Sequence, residues 1–68
     1  MPNDYDSESF SVVNGYTIKY GTGWNGGYYE IWDGRNLLTE QTGYSGSEKA
    51  RISAEKWIGD YSKEKKNV

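Results

Sequence analysis

The sequence predicts a small α+β domain: a three- to four-stranded antiparallel β-meander packed against one C-terminal α-helix. Three observations carry that prediction. Asn14-Gly15, Asn25-Gly26 and Asp33-Gly34 are dipeptides that accept positive φ at both central positions of a tight hairpin turn. Between them lie Tyr16-Thr17-Ile18-Lys19-Tyr20 and Tyr28-Tyr29-Glu30-Ile31-Trp32, rich in the aromatic and β-branched side chains that suit a pleated surface. Beyond residue 45 the apolar residues recur at helical spacing instead.

In chain order, residues 1–8 are polar and acidic, with Pro2, and read as a disordered leader. Residues 9–62 read as a single ββββα domain, and 63–68 as a frayed, charged tail. The first strand is Phe10–Val13, turned by Asn14-Gly15 straight into Tyr16–Tyr20. A two-residue turn sets Val13 opposite Tyr16 and Ser11 opposite Ile18, leaving Phe10 and Val12 on the other face with Lys19 and Thr17. Gly21 to Gly27 is expected to be a glycine-rich loop with Trp24 at its tip. The third strand then covers about 27–32 and the fourth 37–42. An even-length connection puts Tyr29, Ile31 and Leu38 on one face, and Tyr28, Trp32 and Leu37 on the other.

Ser45 and Glu48 have capping-box spacing, so Ser45 is expected as the N-cap of the helix, with Ser47 as a competing cap. Ala50, Ala54, Trp57, Ile58 and Tyr61 form its apolar stripe, and Lys49, Arg51, Glu55, Lys56 and Asp60 its solvated side. Gly59 weakens the last turns, while the terminal lysines suit a helix C-terminus.

Composition narrows the function classes. At 68 residues the chain is near the lower size limit for a domain without staples. It has no cysteine and no histidine, which removes disulfides, thiolate metal sites and the commonest general base. An enzyme is not expected, and neither is a cofactor. Leu, Ile, Val and Phe total ten residues, so seven tyrosines and three tryptophans must supply much of the core. Charge is uneven: residues 1–33 carry five acids and one lysine (net −4), residues 34–68 seven bases and five acids (net +2). Only Lys63, Lys65 and Lys66 cluster as bases, which disfavours nucleic acid as a partner. No apolar run resembles a signal peptide or a membrane span, so the expected location is cytoplasmic, with no membrane partner.

Three constellations bear on chemistry. Gly21-Thr22-Gly23-Trp24-Asn25-Gly26 matches the dinucleotide-binding string. That string works only between a strand and a helix N-terminus, and here strands flank it on both sides. Glu30 and Glu40 stand on neighbouring strands, but the face assignment separates them and reads them as solvated carboxylates. The aromatics are the stronger signal. One helix covers one face, yet Tyr16, Ile18, Tyr20, Tyr29, Ile31 and Leu38 fill one side, and Phe10, Val12, Tyr28, Trp32 and Leu37 the other.

Residues 29–58 resemble the strand–turn–strand–helix unit of YegP-like small domains. The likeness lies in Asp33-Gly34, the Leu37-Leu38-Thr39-Glu40-Gln41 strand, Tyr44 after it, and Ser47-Glu48-Lys49-Ala50 at the helix start. It implies a βββα-type fold and no catalytic residues. The N-terminal hairpin and the glycine-rich segment depart from that pattern.

The resulting expectation is a non-enzymatic protein-interaction module of the accessory or phage-type regulatory kind. It would self-associate as a homodimer or dock on a larger protein partner through an aromatic sheet face. Its partner-binding residues would be Phe10, Tyr28, Trp32, Leu37 and Trp24. A single-stranded nucleic-acid module that stacks bases on the same aromatics is the competing class.

Overall fold

The computed structural model describes residues 8–66. The strands are β1 (Ser9–Val13), β2 (Tyr16–Gly23), β3 (Gly26–Asp33) and β4 (Asn36–Tyr44), and the helix is α1 (Ser47–Lys66). All neighbouring strands are antiparallel and the sheet order is β1-β2-β3-β4, the expected meander. The leader expected over residues 1–8 lies outside the described residues except for Glu8, which is exposed. Of the tail expected from residue 63, Lys63–Lys66 continue the helix, and 67–68 lie outside the described residues.

The three turns use their glycines differently. Asn14 and Gly15 both adopt positive φ (53° and 87°), as a two-residue turn with mirror-image geometry requires. At the second turn Trp24 and Asn25 are the central pair, and the positive φ of 91° falls on Gly26 alone. At the third, Gly34 and Arg35 are central, with positive φ only at Gly34. The expected 21–27 loop is therefore mostly strand: Gly21 pairs with Tyr28, Thr22 with Gly27 and Gly23 with Gly26. Glycines hold strand here because the Tyr28 ring covers the bare backbone of Gly21, within 3.0–3.3 Å of where a Cβ would stand.

The helix cap lies one residue beyond Ser45. Ala50 donates its backbone N–H to the Gly46 carbonyl at 3.2 Å, which makes Gly46 the capping position. A close backbone approach pins the chain at this point: a Cβ on Gly27 would lie 2.2 Å from the Gly46 oxygen. Glu48 pairs with Arg51 instead of reaching back to the cap, and Arg51 also holds Glu55 at 2.6 Å.

The core lies between α1 and the face carrying Ile18, Tyr29 and Ile31, which pack against Ala50, Ala54 and Ile58. The two alanines let the helix approach closely. Val13, Tyr16, Tyr20, Leu38, Tyr44 and Trp57 pack around this centre, half-buried. Trp57 is thus a flank of the core, stacked on Tyr61 at 4.8 Å, and Tyr61 meets Tyr16 edge-on at 5.8 Å.

Two bulges interrupt β4. Between the Ile31–Thr39 and Trp32–Leu37 pairs, Leu38 is an extra residue; between Tyr28–Thr42 and Gly27–Tyr44, Gly43 is extra, with φ +99°. The first bulge leaves Leu37 opposite Trp32 and Leu38 on the core, as expected. It also inverts the alternation beyond it, because an inserted residue shifts every later side chain to the other face. Glu40 is thereby brought directly opposite Glu30. The sequence-based separation of these two carboxylates is corrected.

Candidate functional site

The face opposite α1 is the open side of the sheet, and the register arranges it in three rows. One row runs Val12–Thr17–Trp32–Leu37, the next Phe10–Lys19–Glu30–Glu40, and the third Gly21–Tyr28–Thr42. The first is largely apolar: Val12 is 69% and Leu37 42% exposed, and Phe10 beside them is 60% exposed. A solvated sheet face should be polar at these positions, so the row breaks the usual alternation.

The middle row is charged. The Lys19 ammonium lies 5.0 Å from the Trp32 ring centroid and 5.9 Å from that of Phe10, within cation–π range of both. The Trp32 indole N–H donates to Glu30 Oε1 at 3.0 Å. Trp32 is therefore half-buried under its polar neighbours, and the Lys19–Glu30–Glu40 row separates it from Tyr28. Of the five residues expected to bind a partner, Phe10, Trp32 and Leu37 gather at one end of the face. Tyr28 lies at the other, with Trp24 on the hairpin tip beside it.

At that second end an open groove of about 640 Å³ is formed. Trp24, fully exposed, stands on its rim with Asn25; Tyr28, Glu8, Glu30, Glu40 and Thr42 line it. Tyr28 donates its hydroxyl to Glu8 Oε2 at 2.7 Å. Burial, with that hydrogen bond and the charges of Glu8 and Glu30, pushes the Tyr28 hydroxyl up to about 12. The ring is thus neutral and held in place over Gly21. Thr42 closes the rim by donating to the Asn25 carbonyl at 3.5 Å, a long contact.

The groove presents three carboxylates and two aromatic rings, an arrangement that suits a cation. Among the described residues no group of three or more acidic, histidine or cysteine side chains is placed to hold a metal ion. The dinucleotide-like string forms the β2–β3 hairpin and runs on into strand β3, so no helix opens directly after it. Among the described residues no helix is long and apolar enough to cross a membrane.

Sequence reasoning missed Glu8, Glu30 and Glu40 as site residues. For Glu40 the signal was present in Leu37-Leu38: two adjacent apolar residues in an alternating strand mark a bulge, and a bulge inverts the facing of every residue beyond it. No family model, curated protein or solved structure matches the chain.

Proposed function

We propose that this chain is a non-enzymatic protein-interaction module whose open sheet face docks on a basic segment of a larger protein. The observation that supports this reading is a fully exposed indole on the rim of a groove lined by carboxylates. Trp24 offers a large aromatic surface, of the kind that dominates interface energetics when it is covered. Glu8, Glu30 and Glu40 define the chemistry of the cover, since a lysine or arginine side chain meets both the acids and the rings. Glu30 opposite Glu40 is a like-charge pair that costs the fold stability, and a cation between them relieves it. Such a breach of local rules is characteristic of functional surfaces.

The nucleic-acid alternative draws only on the aromatics. Among the described residues, three carboxylates against the single Lys19 in the rows of this face repel phosphates.

Calorimetric titration with a lysine- and arginine-rich peptide tests the reading. The small face predicts a weak, transient complex, with Kd on the order of micromolar and weakening as salt is raised. The double change Glu30→Gln, Glu40→Gln should reduce affinity at least ~10-fold, as should Trp24→Ala. Absence of saturation at ~1 mM peptide overturns the proposal, because hot-spot contacts of this kind bind more tightly. Submicromolar binding of oligothymidine at physiological salt replaces it with the nucleic-acid reading.

A further inference from the structure

The two edges of the sheet are guarded unequally. The β4 edge carries two bulges and the charged Glu40, devices that prevent another strand from pairing. The β1 edge, Ser9-Phe10-Ser11-Val12-Val13, has no charge, no proline and an uninterrupted register with β2. The helix packs on β3, β2 and β4, so β1 extends beyond its main cover.

The turn decides which backbone groups of β1 are available. In a two-residue hairpin the flanking residues, Val13 and Tyr16, exchange both of their hydrogen bonds. Backbone groups alternate along a strand, so those of Ser9, Ser11 and Val13 address β2 and those of Phe10 and Val12 face outward. These outward groups carry the side chains already exposed on the open face.

We infer that β1 pairs antiparallel with β1 of a second copy, Phe10 opposite Val12 and Ser11 opposite Ser11, to form a continuous eight-stranded sheet. This register is the one in which both outward-facing residues find partners in the other copy, as hydrogen-bonded pairs. It is self-complementary, as a two-fold interface must be. It sets an aromatic ring beside a β-branched side chain twice, a favourable cross-strand combination, and places no charge opposite a like charge. Glu8 then faces Asn14 of the other copy. The two-fold axis is perpendicular to the sheet, so both helices lie on one side and both grooves on the other. A five-residue strand pair covers less than the ~1,000 Å² of a stable interface, so the dimer is concentration-dependent. The inference is independent of the groove: association is read by mass, peptide binding by heat.

Sedimentation velocity over increasing concentration should show the 7.8 kDa chain moving towards twice its mass by ~1 mM, as suits a small interface. Val12→Pro removes an outward N–H without touching the β2 ladder and should weaken association at least ~10-fold. If that variant does not fold, Val12→Lys makes the same test by charging the edge. Register is read separately. The chain has no cysteine, so Ser11→Cys supplies one thiol directly across the axis in a non-hydrogen-bonded pair, where Cβ atoms come closest. Under mild oxidation it should cross-link at least ~5-fold faster than Ser9→Cys, whose thiol faces Val13. A wild type that remains monomeric at ~1 mM, or an edge variant that associates as well as wild type, overturns the inference. Equal cross-linking of the two cysteine variants overturns the register.

Discussion

Glu30 and Glu40 face each other across β3 and β4, and Glu40 forms no ion pair among the described residues. Neutralising one of them removes a repulsion of roughly 0.2–1 kcal/mol, the usual range for cross-strand pairs. Glu40→Gln is therefore expected to raise the Tm while weakening basic-peptide binding, which thermal melts and titration of the same variant check together. The tyrosines make a second prediction. Tyr28 and Tyr29 are both pushed up to about 12, chiefly by burial, with Glu8 acting on Tyr28 and Tyr44 on Tyr29. In the unfolded chain both ionise near the ordinary value of 10.0, so between about pH 10 and 12 the unfolded state has lost protons that the folded state keeps. Stability is therefore complete below pH 10 and is lost as pH rises through that window. Absorbance at a tyrosinate wavelength should show a late-titrating component that shrinks in Tyr28→Phe. Gly27 makes a third. A methyl group there meets the Gly46 carbonyl, and the backbones must separate, so Gly27→Ala is expected to cost on the order of 1–3 kcal/mol or more. A variant that melts with wild type contradicts that close approach.

Among the elements, the hairpins and the helical stripe were legible because turn dipeptides and side-chain periodicity are local properties. Phe10 and Val12 fell on the predicted face because Asn14-Gly15 fixes the register of β1 on β2. The β2–β3 hairpin was less legible: a run of glycines reads as loop, and only the cross-strand cover of Gly21 by Tyr28 makes it strand. The capping site moved to Gly46 for a tertiary reason, its approach to Gly27, which no local pattern announces. Tyr44 joined the core against Tyr29 at 5.8 Å because the Gly43 bulge turned it there. The candidate site followed the same division. Its aromatics were readable and Glu40 was not, since its facing depends on a bulge. The two faces of β3 give the element-scale prediction. Ile31→Ala, at the closed core, should cost about 2–5 kcal/mol. Trp32→Ala, which loses the Lys19 contact and the Glu30 hydrogen bond at the surface, should cost about 1 kcal/mol. Denaturant melts of the pair compare them directly, and a reversal of that order contradicts the assignment of the faces.

For the whole molecule, one thin core supports a sheet that, among the described residues, is covered on one side only. Among the described residues six apolar side chains form the buried centre, three of them isoleucines and two alanines, so total stability is expected at the low end for single domains. The uncovered side carries an apolar row and an acidic groove, and β1 borders it as a sheet edge; as proposed, the groove takes a basic partner and the edge a second copy. The central claim is that partners engage this side and not the helix. The three tryptophan indole N–H resonances report it by position: Trp24 on the groove rim, Trp32 at the far end of the open face, Trp57 against the helix side. In a heteronuclear NMR titration with a lysine- and arginine-rich peptide, the Trp24 resonance should shift and saturate while that of Trp57 stays in place. A titration that moves Trp57 and leaves Trp24 unchanged, or moves none of the three, contradicts the account.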